Sequence, residues 1–445
     1  MQIFDVPPTD TSYEKYRMVL VKADSGGIQP MQFVMSGVNE YVDLNRSYFE
    51  MEFQMKQHNG NNVAAADNLF PAQNLCHTMI KQCSVTFNGT LISSQTDTYP
   101  YKAYFETLIN NDRLDGETLL PLQGFQQDGL DVATPLTANN LDDATPHAHY
   151  RALSATQKAA VKAMKREQGH YTDGKRRTLY FKPHSEAFYM GKPLVPFVEV
   201  VVRFFFHEPA FFLNGVAEQG RLTDADIKIK FHVCQVQLSD PLTNTLQLQR
   251  KEGYYAKYPL VRSEICTYAL PAGQMDFDED RIFLHRVPDR MIVGLLHQSS
   301  YNGDYTYSPF AFQQFGLQWI KQFVDGEEYP YGTTLELNAG NGNKDLVGYF
   351  RFVQATSAWK ERRPNLVRPQ EWGYGKNCTL YVFDNVASGD ADGKILNPQK
   401  EGNVRVQFHL NAGLAHVVTV VIYGEFENVM QITHDGGVLY NAYGT

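Results

Sequence analysis

Residues 85–109 run Val85-Thr86-Phe87-Asn88-Gly89-Thr90-Leu91-Ile92-Ser93-Ser94-Gln95-Thr96-Asp97-Thr98-Tyr99-Pro100-Tyr101-Lys102-Ala103-Tyr104-Phe105-Glu106-Thr107-Leu108-Ile109. Val85-Thr86-Phe87 reads as a half-buried strand, and Asn88-Gly89 supplies two residues that tolerate positive φ, as a tight hairpin turn requires. Thr90-Leu91 starts a second strand, and the aromatic-rich stretch beyond it is expected to end in a short helical turn. Elsewhere, Phe49-Glu50-Met51-Glu52-Phe53-Gln54-Met55, Ile227-Lys228-Ile229-Lys230-Phe231-His232-Val233 and Val404-Arg405-Val406-Gln407-Phe408-His409-Leu410 alternate apolar and polar residues. That is the pattern of antiparallel strands with one face buried and one face wet. The run 198–206, interrupted by Glu199 and Arg203, and Val417-Val418-Thr419-Val420-Val421-Ile422-Tyr423 are nearly all apolar, which predicts strands covered on both faces.

At 445 residues the chain exceeds one ordinary core, so two β domains of about 200 residues each are expected. The 28 Phe and 26 Tyr favour strands and large packed interfaces and argue against a disordered chain. A net charge of −9 argues against a general nucleic-acid binder, whose affinity rests on Lys and Arg neutralising phosphates. The five cysteines, Cys76, Cys83, Cys234, Cys266 and Cys378, form no CxxC pair, so neither a zinc ribbon nor a disulfide framework is indicated. The residues after Met1 show no basic-then-apolar stretch, so no signal peptide is expected, and the sequons at Asn45, Asn88 and Asn377 are expected to go unused. The apolar region 195–206 is too short and too charged to span a bilayer.

Between strands the punctuation is Asn59-Gly60-Asn61, Asn214-Gly215, Asn302-Gly303-Asp304, Asp325-Gly326 and Gly340-Asn341-Gly342-Asn343, all read as turns. Residues 154–168 break the β pattern: Ser154 can cap a helix of strong formers, with Gly169 just past its end. With the polar region 126–146 they read as a long excursion, about 126–178, carrying one surface helix. Phe87-Asn88-Gly89 and Val324-Asp325-Gly326 echo one another, which suggests a duplicated unit, although such turns recur in any β protein. Ser239-Asp240-Pro241-Leu242-Thr243-Asn244 marks the expected boundary, with Pro241 unable to donate to a ladder. The expected division is 1–239 and 240–445.

Catalytic signals are sparse. His147-Ala148-His149 has metal-ligand spacing for a strand, yet no carboxylate follows, and an exposed loop is the simpler reading. Asp276-Phe277-Asp278-Glu279-Asp280 lacks the glycine and terminal glutamate of a calcium loop and reads as a solvated acidic turn before a strand at 281–284; Asp390-Ala391-Asp392-Gly393 is equally weak. No G-x-S-x-G, Walker or H-E-x-x-H motif is present, so no catalytic, cofactor or metal residue is assigned, and the chain is not expected to be an enzyme. Lys162, Lys165, Arg166, Lys175, Arg176 and Arg177 form the densest basic stretch, read as a solvated face, with nuclear import or contact with packaged DNA as the sharper alternatives. Tyrosines at 301–307 either contact neighbouring molecules or pack locally.

The opening tract resembles the NG, SS, T, TYPY, AY, ETL signature of the double jelly-roll major capsid proteins of Maverick/Polinton elements and adintoviruses, in the adenovirus hexon-like lineage. Further elements fall in the family's order: Val6-Pro7-Pro8-Thr9 near the start, Leu213-Asn214-Gly215-Val216, Tyr258-Pro259 with Leu270-Pro271-Ala272-Gly273, Tyr301-Asn302-Gly303-Asp304, and Val421-Ile422-Tyr423-Gly424-Glu425-Phe426-Glu427-Asn428. Residues 126–178 are the exception. The resemblance implies an all-β chain of two tandem eight-stranded jelly rolls with long inter-strand loops and at least one short helix. It implies a homotrimer forming a pseudo-hexagonal capsomer, neighbouring capsomers making an icosahedral shell around double-stranded DNA, and no cofactor. It further implies a single jelly-roll penton protein, minor capsid proteins, a packaging ATPase and a maturation protease as partners. The site implied is the virion capsid, with synthesis in the host cytoplasm and assembly there or in the nucleus. The competing readings are a carbohydrate- or receptor-binding β-sandwich, a jelly-roll metalloenzyme, and a domesticated capsid relative that no longer packages a genome.

Overall fold

A computed structural model of the chain describes residues 11–440 except 25–26, 28, 94–95, 131, 133–135, 142–147, 217–218, 285, 331, 333, 338–344, 390 and 392–395. In the first half the main strands are β1 (Tyr13–Lys22), β2 (Met31–Met35), β3 (Tyr41–Phe53), β4 (Ile80–Phe87), β5 (Thr90–Leu91), β6 (Arg177–Phe181), β7 (Val200–Phe206) and β8 (Ile227–Leu238). They form two antiparallel sheets, ordered β1-β8-β3-β6 and β2-β7-β4-β5. Alternation decides which side chains meet between them. Phe49 of β3 stacks on Phe231 of β8 at 4.3 Å, and Phe204 of β7 meets Phe49 edge-on at 5.0 Å.

The second half repeats this arrangement. Its strands are β9 (Ala256–Leu270), β10 (Asp276–Glu279), β11 (Arg290–His297), β12 (Leu317–Val324), β13 (Glu327–Glu328), β14 (Leu380–Asp384), β15 (Val404–Leu410) and β16 (Val418–Ile432). The sheets are ordered β9-β16-β11-β14 and β10-β15-β12-β13, the first-half order moved on by eight strands. Among the described residues no strand of one half pairs with a strand of the other. Each half is a jelly roll of two facing four-strand paths, as expected for a double jelly roll. The two Asx-Gly turns occupy the same place in each: Asn88 and Gly89 (φ 46° and 82°) join β4 to β5, and Asp325 and Gly326 (φ 50° and 86°) join β12 to β13. The echo in the sequence is therefore a structural repeat.

Several expectations need correcting. The aromatic stretch after the first hairpin is a full helix, α1 (Tyr99–Asn110), not a terminal turn. Asn214-Gly215 is no turn: Leu213–Gly215 is a short strand paired with Leu69–Pro71, and Asn214 is buried. The acidic segment is itself strand β10, and 281–284 is not a strand. Its carboxylates find partners across the ladder, where Arg405 of β15 pairs with Asp278 and His409 contacts Asp276 at 2.6 Å. Helix α2 (Ala155–Gln168) has the expected Ser154 cap, but it is more than a surface helix: Ala160, Val161 and Met164 close a small satellite core with Phe70, Leu136, Leu141 and Tyr150. The segment around Pro241 is outside any ladder, as expected, and opens helix α3 (Asp240–Lys251), where a proline in the first turn sacrifices no hydrogen bond. Turn 340–343 lies outside the described residues.

Candidate functional site: the joint between the two halves

Helix α1 leaves the first half and inserts between the rolls. Pro100 sits in its first turn, where no N–H is needed. Ten of its twelve residues are buried, Lys102 and Thr107 among them, so the helix is enclosed on all sides. Tyr99 and Ala103 join the first-half core, whereas Tyr101, Tyr104, Phe105, Leu108 and Ile109 join the second-half core. Tyr104 stacks on Phe310 at 4.3 Å, Phe105 meets Phe312 and Tyr423, and Tyr101 stacks on Tyr301 at 5.5 Å. The Tyr305 hydroxyl accepts from the Gly220 N–H at 3.2 Å, so Tyr301 and Tyr305 contact the other half of their own chain, whereas Tyr307 stacks locally on His297 at 4.7 Å. At the far side of the joint, the Asn88 amide donates to the Gly436 carbonyl at 2.7 Å.

A buried network of charge runs alongside these rings. Lys102 donates to Glu186 at 2.6 Å and lies 3.9 Å from Glu106. Glu106 approaches His184 Nδ1 at 2.7 Å and the Tyr423 hydroxyl at 3.0 Å. That hydroxyl also lies 2.9 Å from Glu425, which takes a two-point bond from Arg290 at 2.8 and 3.1 Å. One phenolic proton cannot serve two ionised carboxylates. The Tyr423 hydroxyl lies within donating reach of both Glu106 and Glu425, so its proton goes to one of them at a time. Burial raises Glu106 above the usual carboxylate range against the pull of Lys102. Burial alone would lower Lys102, but Glu186 and Glu106 outweigh it and hold the ammonium above the ordinary lysine value. Such a network specifies one arrangement of the two halves, because any slip leaves a charge buried without its partner.

The joint carries a pH signature. Burial, then the charges of Lys102 and Lys182, pushes His184 down to about 3 from 6.5. Burial also brings His207 to about 3 and His77 well below its ordinary value. The unfolded chain takes up these protons near 6.5 and the folded chain does not, so their contribution to stability is complete above 6.5 and is lost as pH falls toward 3. Asp289, raised by burial to about 6, works in the opposite sense, its contribution being lost as pH rises from 3.8 through about 6. The His184→Gln variant should therefore show a shallower fall of melting temperature than the parent between pH 6.5 and about 4. Equal slopes would remove His184 from this account.

The residues singled out in sequence fare differently. His149 lies exposed on the short helix Ala148–Ala152, where alternate residues diverge, and His147 lies outside the described residues, as do Asp390, Asp392 and Gly393. No cluster of three metal-ligating side chains occurs among the described residues. All five cysteines are free. Of the basic stretch, Arg177 pairs with Glu167 and Arg176 with Glu52, while Lys162, Arg166 and Lys175 are exposed. Asn88 and Asn377 both have bonded amides, and Asn377 is buried. No helix among the described residues is long and apolar enough to cross a membrane. The joint residues Lys102, Glu106, Arg290 and Glu425 were not singled out; the available signal was charge inside otherwise apolar runs.

No protein-family model matches the chain. An uncharacterised protein of Caenorhabditis elegans is 24% identical over 454 residues, covering 96% of this chain and 97% of its own. Among solved structures, that of the Sputnik virophage matches with a TM-score of 0.58 at 10% identity, covering 99% of this chain and 92% of the other. The mavirus major capsid protein matches at 0.51 and 12% identity, covering 99% and 92%. The PBCV-1 virus capsid matches at 0.53 and 11%, covering 98% and 99%. Over its described residues the chain has the double jelly-roll fold found in the major capsid proteins of large DNA viruses and virophages.

Proposed function

We propose that this chain is a major capsid protein whose trimers form pseudo-hexagonal capsomers of an icosahedral shell around double-stranded DNA. The observation that carries this reading is the complete repeat of eight strands, matched over nearly the whole chain to capsid subunits of viruses and virophages. The sequence elements shared with Maverick/Polinton and adintovirus proteins favour that branch of the lineage. The two rolls divide at 239/240, a penton protein and minor capsid proteins complete the shell, and assembly follows synthesis in the host cytoplasm, there or in the nucleus. The role is mechanical, without catalysis.

Size-exclusion chromatography with light scattering tests this reading. The purified chain is expected to elute as a species of three copies; a stable single-copy species at micromolar concentration would count against the capsomer. A second reading, a capsid relative retained in an animal genome without packaging, is favoured by the full-length match to a nematode protein. Nuclease-protected DNA inside assembled particles separates the two: its presence supports a packaging shell and its absence the retained relative.

A further inference from the structure

Helix α3, the 195–197 loop and the Tyr254-Tyr255 pair wall an open groove of about 380 Å³. Its aromatic side stands in solvent: Phe197, Tyr254 and Tyr255 are 62%, 66% and 45% exposed. Phe197 has φ 67°, a left-handed value that a bulky side chain rarely adopts. Two features impose it. Its N–H donates to the Val38 carbonyl at 2.8 Å, and Gly37 lies so close that a Cβ there would fall 2.8 Å from the Phe197 carbonyl carbon. Backbone strain persists where the surroundings over-determine it, and ligand clamps are one such place. The polar side of the groove is cationic in a chain of net charge −9: Arg250 and Lys251 line it, and no Asp or Glu among the described residues does.

The chain itself holds a segment of matching chemistry. The ten residues ahead of Thr11 contain Ile3, Phe4 and Val6, the acid Asp5 and the pair Pro7-Pro8. Consecutive prolines favour the extended polyproline conformation, which docks in aromatic-lined grooves with little further ordering. Position agrees with chemistry. The Ser12 carbonyl accepts from the Ser239 N–H at 3.0 Å, and Ser239 precedes the first turn of α3, so the segment joins the described fold beside that helix. From Ser239 to Gln247 the helix rises about 12 Å, whereas residues 6–11 can span up to about 21 Å. The groove is within reach.

We infer that residues 3–8 lie in this groove of their own chain, with the prolines against the tyrosine rings and Asp5 beside Arg250 and Lys251. The segment then clasps α3, the helix between β8 and β9. The occupant is the same chain's segment because its tether keeps it beside the groove at an effective concentration of about millimolar, whatever the state of assembly.

Disulfide trapping in the full chain tests this. Gln247 lines the groove; Thr245 does not, although it is exposed and nearer to Ser239, and residues two apart on a helix face different sides. Val6→Cys is combined with Gln247→Cys in one variant and with Thr245→Cys in another, and the oxidised proteins are separated without reductant and mapped by mass spectrometry. Linkage of positions 6 and 247 within one chain is expected at about ten times the yield of 6 and 245. Adding Asp5→Lys should lower the 247 linkage about two- to fivefold, and Lys251→Glu in the same chain should recover it. Equal linkage at 245 and 247, the behaviour of a loose tail, overturns the inference. So does linkage to 247 found only between two chains, which assigns the groove to a neighbouring copy, and so does the absence of linkage at both positions, which leaves it to a different protein.

Discussion

The Arg290→Ala variant should lose about 3–5 kcal/mol of stability, the range seen when one partner of a buried ion pair is removed. Arg290 and Glu425 are both buried, and their two-point contact is made in the same sheet that receives α1. Truncation leaves the Glu425 carboxylate facing Tyr423 with Glu106 beyond it and no cation in contact. Burial already drives Glu425 above the usual carboxylate range against the pull of Arg290, so the orphaned group would take up a proton instead of staying charged. Replacing both partners, Arg290→Met with Glu425→Leu, should restore most of the loss, since a packed apolar pair needs no charge compensation. Chemical denaturation measures all three proteins. A loss below about 1 kcal/mol for Arg290→Ala would mean that water reaches the pair. The exposed Arg405 and Asp278 pair serves as the contrast, and its removal should be nearly silent.

The second large effect is expected at Tyr104. Its ring is buried against Phe310 and near Phe312, and it ties α1 to the second half. Tyr104→Ala should cost about 3–5 kcal/mol, the sum of lost transfer energy and the cavity left in a tightly packed joint. Tyr104→Phe should change little, because the hydroxyl reaches only the Cys378 sulfur at 3.9 Å. The same denaturation series reads both variants. If the phenylalanine variant falls as far as the alanine variant, the hydroxyl rather than the ring is what the joint requires.

How much of this could be read in the sequence depended on how local the cause was. The two hairpin turns were visible because an Asx-Gly pair meets the positive-φ requirement within two residues. Strands β3, β8 and β15 were visible because one wet face gives strict alternation. Helix α2 announced its own ends through Ser154 and Gly169. Helix α1 did not, because burial on every side erases the periodicity by which a helix is recognised. Strand β10 looked like an acidic turn because the side chains that partner its carboxylates, Arg405 and His409, lie more than a hundred residues away. The ion network was hidden for the same reason: Glu106 and Tyr423 are separated by 317 positions. Its members could be seen only as charges misplaced in apolar strands and helices.

The central claim, that this double jelly roll is a capsomer subunit, is tested most directly by cryo-electron microscopy of the purified protein. The account predicts a particle of three chains with threefold symmetry and a six-cornered outline. A population of single chains across pH and salt would contradict it.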